Sequence, residues 1–233
     1  MNWLLLHYLP TTLFSLKSCV ATSSVGRSLI VPTPYAVKMA FVDSAFRYGL
    51  PTEICEGLVE KLAEVEVRIK PAGNSIVNQT IQKIRQEERN DRESDQIYIS
   101  SIAYRELVYL DSCWIWAFNV REDTELSSLL LKLAPAINYV GKRGSMIQFM
   151  GSETRDELDN RFTMPIAEIQ GVRLPERTHI ALLDDFGPKA NFNCLNSFDP
   201  KARVDLGKHR LRISTLIPSG VIDAGSGFVH YST

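Results

Sequence analysis

The first half of the chain alternates between strand-like and helical patterns of apolar residues. Residues 3–9 form an apolar run that ends in the turn-like sequence PTT, which predicts a buried first strand. The run superficially resembles a secretory signal, but it lacks a basic leader and is interrupted by Pro10. No stretch approaches the roughly 18 apolar residues that a membrane span requires, so we expect no membrane contact.

Two helices are predicted next. The first begins at Pro34, a favoured first-turn residue with Thr33 as its cap, and its apolar residues keep helical spacing as far as Tyr48. The second covers residues 52–63 and has acidic residues in its first turn. Strict alternation over residues 65–70 then predicts a strand.

Residues 71–100 break this pattern, because they are polar, mixed in charge and poor in aromatic residues. This composition indicates either a mobile excursion of the chain or an insertion that becomes ordered on a partner. Beyond them we expect a strand over 113–120, a helix over 124–133 and a hairpin over 139–149 that turns at 141–144. The order strand, helix, strand, strand, helix, strand predicts an α+β, ferredoxin-like (RRM-type) domain.

The remainder of the chain carries strand signals without helices. Residues 150–165 read as a polar linker, and strand-like runs follow at 178–183, 210–217 and 227–231. We therefore predict a domain over 1–150, with an insertion at 71–100, and a small β-rich C-terminal region over 151–233.

Composition limits the partners and cofactors. Twenty-six basic residues balance twenty-seven acidic ones, so any RNA binding requires a local basic surface rather than a whole-chain field. The four cysteines are far apart and form no CxxC pair, which disfavours a metal site and a disulfide scaffold. We expect a reduced, cytoplasmic protein without a cofactor or bound metal.

Three short features could suggest an enzyme, and each has a more ordinary explanation. Lys208–His209 could support metal-independent RNA cleavage, but such a pair more often lies solvated at the start of a strand. Asp184–Asp185 could bind a metal, although no second acidic pair is spaced to join it. The sequence 225–227, GSG, is too short to indicate a phosphate-binding loop. We expect no catalytic residue.

Cations at loop tips and on strand faces are a stronger signal. They are Arg27, Lys38, Lys142, Arg143, Arg210 and Arg212. Lys142 and Arg143 lie in a turn bounded by glycines, where backbone amides and two cations could converge on one phosphate. As a group, these cations favour binding of a nucleic acid over catalysis.

Three stretches together resemble the CRISPR-associated protein 5 family of the RAMP superfamily. They are VPTPYAVKMAFVDSAFR at 31–47, YRELVYLDSCWIWAFNV at 104–120 and AINYVGKRGSMIQF at 136–149. The first resembles the junction between loop and helix after the family's first strand, and the last resembles its Gly-Arg/Lys-Arg turn. The order of the three stretches is more specific than any one of them, and the likeness covers most of 1–150.

The resemblance implies a non-catalytic subunit of a type I Cascade complex that binds the 5′ handle of the crRNA. Residues 71–100 fall where the family has an extended thumb. The implied partners are the crRNA, the Cascade backbone subunit, the Cascade large subunit and target DNA near the PAM. The implied RNA-binding residues are Arg27, Lys38, Lys142 and Arg143, with Tyr35 and Tyr104 as rings for stacking on bases.

Two further readings stay open. One branch of the family cleaves precursor RNA with Tyr, Lys and His in its first domain, whereas the only Lys-His pair here is Lys208–His209, at the other end of the chain. The alternative function is therefore a metal-independent endoribonuclease that matures the guide RNA. A stand-alone RNA-binding domain is the other reading. The spacing in PTPYAVKMA resembles the type I-B branch, which includes versions associated with transposition proteins.

Overall fold

A computed structural model describes residues 2–21, 25–87 and 98–233. The helices are α1 (Pro34–Arg47), α2 (Thr52–Ala63), α3 (Thr124–Leu133) and α4 (Phe192–Leu195), with single 3₁₀ turns at Ala134–Ala136 and Ile166–Glu168. None of the helices in these ranges is long and apolar enough to cross a membrane. The strands are β1 (Trp3–Pro10), β2 (Val25–Gly26), β3 (Val67–Lys70), β4 (Asn74–Glu87), β5 (Tyr98–Leu110), β6 (Trp114–Asn119), β7 (Ile147–Arg155), β8 (Met164–Pro165), β9 (His179–Phe186), β10 (Arg210–Ile217), β11 (Gly220–Gly225) and β12 (Phe228–Ser232).

A four-stranded antiparallel sheet forms the centre of the molecule. Its order is β3-β6-β1-β7, so the first strand lies between the third and fourth strands of the split βαβ unit. Helices α1 and α2 connect its first two strands, and α3 connects its last two. This order and these connections define a ferredoxin-like arrangement, which confirms the predicted α+β fold class.

The helices bury one face of this sheet. Thr33 caps α1 by accepting a hydrogen bond from the Ala36 amide at 3.1 Å, and Pro34 occupies the first turn, as the sequence predicts. Val37 and Phe41 of α1 are buried against the sheet. The Tyr8 hydroxyl donates to the Ala134 carbonyl at 3.0 Å, which satisfies a polar group that would otherwise be costly in the core.

The opposite face of the sheet is partly covered. Trp3 and Leu5 of β1 pack with Ile115 and Ala117 of β6 beneath Phe162, which is only 2% exposed. An RRM leaves this face open and stacks bases on its aromatic residues. Phe162 and its loop therefore cover part of the face on which an RRM binds RNA.

The polar region after β3 is a long antiparallel hairpin. Strands β4 and β5 pair from Ser75 opposite Leu110 as far as Glu87 opposite Tyr98. The predicted excursion over 71–100 is thus a strand over much of its length, and its residues 88–97 lie outside the described residues. At its base the hairpin joins a five-stranded sheet of order β11-β12-β4-β5-β2.

The C-terminal region is distributed over two sheets. Strands β8, β10 and β9 form an antiparallel sheet of their own, whereas β11 and β12 extend the hairpin sheet. Strand β7 runs through the predicted boundary at 150 and into the predicted linker over 150–165, which also supplies β8. In the predicted hairpin over 139–149, the first arm is a single bridge from Tyr139 to Met146.

Two glycines provide a matched test of this packing. A Cβ atom at Gly187 would lie 2.1 Å from the Lys208 carbonyl oxygen, whereas a Cβ atom at Gly57, inside α2, would meet nothing within 4 Å. We expect Gly187→Ala to destabilise the fold by about 1–3 kcal/mol through overpacking. Gly57→Ala should stabilise it by about 0.5–1 kcal/mol, because glycine is unfavourable inside a helix. Urea unfolding measures both, and equal stabilities for the two variants would contradict this packing.

Candidate nucleic-acid interface

A cleft of about 800 Å³ lies between the ferredoxin-like core and the C-terminal sheet. One wall is α1, a second is the turn after the 3₁₀ segment at 134–136, and a third comes from β9, β10 and the segment around α4. Tyr35 and Arg143, two of the predicted RNA-binding residues, both line it. Although they are far apart in the sequence, the fold therefore places them at one site.

Tyr35 is the best-defined ring in the cleft. Its ring meets Phe186 edge-on, with 5.2 Å between centroids, and the Arg210 guanidinium lies 4.3 Å from its centroid. Burial raises the pKa of the Tyr35 hydroxyl, Arg210 lowers it and Asp184 raises it. The hydroxyl is thus a neutral donor at physiological pH, and Phe186 and Arg210 hold the ring in place.

Arg210 is itself positioned by a buried acid. Its guanidinium pairs with the Asp184 carboxylate, which is 5% exposed, and Arg212 approaches the same carboxylate at 3.8 Å. Arg210 and Arg212 lie two residues apart on β10, so both project from the same face of the strand. Asp184 therefore holds a cation against Tyr35 at the cleft wall.

The turn that carries Lys142 and Arg143 is fixed from the chain's first loop. Lys142 donates its amide to the Ser15 carbonyl at 3.1 Å, and the Ser145 hydroxyl accepts the Ser15 amide at 3.0 Å. Gly141 has a φ of 79° and is packed against the backbone of this loop, which favours glycine there. One of the backbone amides that we expected to bind a phosphate is therefore unavailable, because the Lys142 amide already donates to the Ser15 carbonyl.

Both side chains of this turn remain available to a ligand. Lys142 and Arg143 are exposed, and neither forms an ion pair with any carboxylate in the described part of the chain. Arg143 lines the cleft beside Lys17 of the first loop. Cations of this kind bind phosphates without being diverted by a neighbouring acid.

Arg27 and Tyr104 lie near the middle of the hairpin rather than in the cleft. Tyr104 is 54% exposed on β5 and is opposite Val25 of β2, two residues from the exposed Arg27. The two sites are connected through the first loop, because Lys17 at the cleft forms a bridge with Ser28. The predicted RNA-binding residues thus form two neighbouring groups.

Lys38 is placed in the interior instead of at either group. It is 1% exposed, and its ammonium lies 2.6 Å from the Asp185 carboxylate. Burial lowers the pKa of Lys38 while Asp185 opposes that change, and burial raises the pKa of Asp185 while Lys38 opposes it. The ammonium is unavailable to a phosphate in this arrangement, so we leave Lys38 out of the candidate interface.

Several cleft residues were not predicted from the sequence. They are Lys17, Phe46, Tyr139, Phe192 and Phe198. The ring of Phe198 is 91% exposed, which makes it the most accessible aromatic group at the rim. The alternation of Arg210 and Arg212 in the sequence does indicate the cationic wall that β10 contributes to the cleft. Phe198 lies in a loop whose sequence shows no such pattern.

Asp184 and Asp185 do not form the metal site that their adjacency in the sequence could suggest. Within 2–21, 25–87 and 98–233, no three or more His, Cys, Asp and Glu side chains are grouped to hold a metal ion. Asp184 and Asp185 are consecutive on β9, so their carboxylates point to opposite faces of the strand. They cannot act as the paired metal ligands that their adjacency in the sequence could suggest.

Comparison with known proteins yields structural likenesses only. No protein-family model matches the chain, and no curated protein matches it. A CRISPR protein from Archaeoglobus fulgidus is 10% identical and has a TM-score of 0.48, with the match covering 100% of this chain and 92% of that one.

Two further solved structures are similar at the same level. A chain of a CRISPR RNA-guided surveillance complex is 15% identical with a TM-score of 0.44, and the match covers 92% of this chain and 88% of that chain. A chain of the Type III-B Cmr-beta complex bound to cognate target RNA is 11% identical with a TM-score of 0.43, covering 66% of this chain and 60% of that chain.

The buried ion pair behind the cleft is testable by stability. Lys38→Met leaves the Asp185 carboxylate desolvated and unpaired, which should destabilise the fold by about 3–5 kcal/mol. Replacing both partners, as Lys38→Met with Asp185→Leu, should recover most of that loss. As a control, Lys61→Met breaks an exposed pair with Glu125 and should cost no more than about 1 kcal/mol. A Lys38→Met midpoint in urea like that of wild type would contradict this role.

Proposed function

We propose that this protein is a non-catalytic subunit of a type I CRISPR Cascade complex that binds the 5′ handle of the crRNA. The cleft is the observation that supports this proposal best. Tyr35 comes from the first stretch that resembles the CRISPR-associated protein 5 family, and Arg143 comes from the third. These two stretches supply facing walls of one cleft with a positioned ring and free cations.

The cleft has the chemistry that a single-stranded RNA requires. A splayed strand needs rings for its bases and cations for its phosphates. Tyr35, Phe198 and Phe192 supply rings, and Lys17 and Arg143 supply cations at the same cavity. Its volume of about 800 Å³ is ample for an unstacked nucleotide. We propose that Lys142 and Arg143 hold the backbone while a base enters beside Tyr35.

The hairpin supports the proposed assembly with neighbouring subunits. Near its base, one face of β4 and β5 is buried through Val77 and Val108. Farther out, the same face is exposed at Ile81 and Ile102, which are 68% and 67% exposed. Such a face suits a protein interface, and we propose that this thumb-like element contacts the Cascade backbone subunit at the end of the filament.

The remaining partners rest on the family resemblance alone. We propose contacts with the Cascade large subunit and, through it, with target DNA near the PAM. Transposition proteins join this set if the chain belongs to a transposon-associated type I-B system. Arg27 and Tyr104, near the middle of the hairpin, are the proposed second group of RNA contacts.

The geometry favours binding over RNA cleavage. A general base needs a ring nitrogen free to take a proton from the attacking hydroxyl. In His209, Nδ1 accepts the Asp205 amide at 3.0 Å and Nε2 lies 3.6 Å from the Cys194 sulfur. The histidine of the Lys208–His209 pair is therefore engaged on both sides, so we propose no endoribonuclease activity.

The proposed cation contacts predict a change in salt dependence. We expect Lys142→Ala with Arg143→Ala to weaken binding of a labelled single-stranded RNA carrying the repeat-derived 5′ handle. The slope of log K against log salt should fall by about 0.7 for each phosphate that the variant no longer neutralises. Lys61→Ala with Lys132→Ala removes equal charge from α2 and α3 and should change neither quantity. Titration by fluorescence anisotropy at several salt concentrations measures both, and an unchanged affinity and slope would exclude these cations as phosphate ligands.

The ring predicts a different signature in the same titration. Tyr35→Ala removes a stacking surface and should cost about 1–3 kcal/mol of binding free energy with no change in the salt slope. Tyr35→Phe keeps the ring and should bind nearly as wild type does. Equal losses for Tyr35→Ala and Tyr35→Phe would show that the ring does not stack on a base.

The endoribonuclease alternative predicts cleavage instead of binding. We expect labelled repeat RNA to stay intact on incubation with the purified protein, because no free general base accompanies Lys208. His209→Ala should leave the RNA equally intact. A specific cut that His209→Ala abolishes would overturn the non-catalytic assignment.

A further inference from the structure

Cys194 and His209 form a close pair that the proposed RNA contacts do not use. The Cys194 sulfur lies 3.6 Å from Nε2 of His209, and both residues are half-buried. Cys194 belongs to α4, and His209 immediately precedes β10. The two residues meet because Gly187 allows the 187–190 turn to pack closely on the backbone of Lys208.

The backbone fixes which nitrogen of His209 carries the proton. The Asp205 amide donates to Nδ1 at 3.0 Å, and an amide can only donate, so Nδ1 must be unprotonated. The neutral ring therefore carries its hydrogen on Nε2, which faces the Cys194 sulfur. His209 thus donates a hydrogen bond to sulfur. The nucleophilic form of a cysteine is the sulfur anion, and an N–H group is the hydrogen-bond partner that suits that anion.

The other three cysteines have contrasting surroundings. The Cys19 thiol lies 3.7 Å from the Leu182 carbonyl and the Cys55 thiol lies 3.6 Å from the Leu50 carbonyl, so each sulfur faces an acceptor instead of a donor. Burial raises the pKa of Cys55 and of Cys113. Of the four, all within the described residues, Cys194 is the one whose sulfur faces an N–H donor.

We infer that Cys194 is a reactive thiol site, activated by His209 and open to modification by peroxide and by soft electrophiles. With hydrogen peroxide, the sulfur attacks one oxygen and the O–O bond breaks. The departing hydroxide takes the thiol's proton to form water, so sulfur is oxidised to a sulfenic acid while the peroxide is reduced. With an alkyl halide, a C–S bond forms, the carbon–halogen bond breaks, halide leaves and the thiol's proton passes to water.

The position of this thiol gives its modification a structural consequence. Phe192 and Leu195, on either side of Cys194 in the short helix α4, both line the cleft. A sulfenic acid is larger and more polar than a thiol. Its formation displaces His209 or α4, and thereby alters the cleft wall that holds Phe192. The activation of the thiol itself does not depend on what the cleft binds.

Alkylation rates test the inference in the whole protein. The protein is treated with iodoacetamide at neutral pH, and each cysteine-containing peptide is quantified by mass spectrometry over time. We expect Cys194 to react about tenfold faster than Cys19 and Cys113. In urea the rates should converge, because the fold no longer holds His209 against the sulfur. A Cys194 rate no higher than those of Cys19 and Cys113 in the native protein would overturn the inference.

Two variants at one position separate activation from a structural role. His209→Gln retains an N–H donor near the position of Nε2 and should keep most of the Cys194 rate. His209→Leu removes the donor and should lower that rate to the level of Cys113. His230→Leu, at a histidine paired with Asn74 on another sheet, serves as the control and should leave it unchanged. An equal rate in wild type, His209→Gln and His209→Leu would exclude His209 as the activating group.

A trap specific for sulfenic acid tests the peroxide reaction itself. After brief exposure of the protein to hydrogen peroxide, a cyclic diketone such as dimedone should label Cys194 first. Labelling spread evenly over Cys19, Cys113 and Cys194 would contradict selective oxidation. If RNA binding proves absent from the protein, these rates are unaffected, so the two proposals fail independently.

Discussion

The buried ion pair between Lys38 and Asp185 joins the two halves of this molecule. Lys38 lies on α1 of the ferredoxin-like core, and Asp185 lies on β9 of the C-terminal sheet. Removing two charges from water is costly, and only a close contact between them offsets that cost. The pair therefore constrains how α1 can lie on β9. Since the cleft exists only where these two elements meet, its shape depends on the same contact.

The alternation of side chains along β9 extends this constraint to the site. Asp185 points toward Lys38, while Asp184, one residue earlier, points to the opposite face and holds Arg210. Arg210 in turn lies against the ring of Tyr35, which is three residues before Lys38 on α1. Both acids therefore hold α1 in place. Asp185 does so through the buried Lys38, and Asp184 does so through Arg210, which lies over the Tyr35 ring. The pair that looked like metal ligands is a structural connector.

Local sequence signals identified most of the core elements. Helix α2 begins and ends at Thr52 and Ala63 as predicted, and α3 covers 124–133, because acidic first turns and apolar spacing act within a few residues. The hairpin was missed because 74–87 lacks a consistently apolar face, since that face is buried only near the core. Its stability comes from pairing with β5 and β12, which lie far along the chain.

The candidate site could be predicted only in part, and for the same physical reason. Exposed cations in a turn, such as Lys142 and Arg143, follow from glycines on either side of them. The burial of Lys38 does not, because a lysine becomes an interior residue only when a distant acid is folded against it. Tyr35 could be singled out in the sequence, but the guanidinium that positions it could not.

The two walls of the cleft differ in what they can contribute to binding, namely affinity or selectivity. The turn with Lys142 and Arg143 presents flexible cations to solvent, and such contacts give affinity without distinguishing one base from another. The opposite wall, built from Asp184, Arg210 and the segment around α4, is fixed by ion pairs and aromatic packing. Rigid polar groups discriminate between bases, because a mismatched base leaves them desolvated and unpaired. If the cleft holds RNA, its selectivity must therefore come mainly from the C-terminal half, where the sequence resembles the family least.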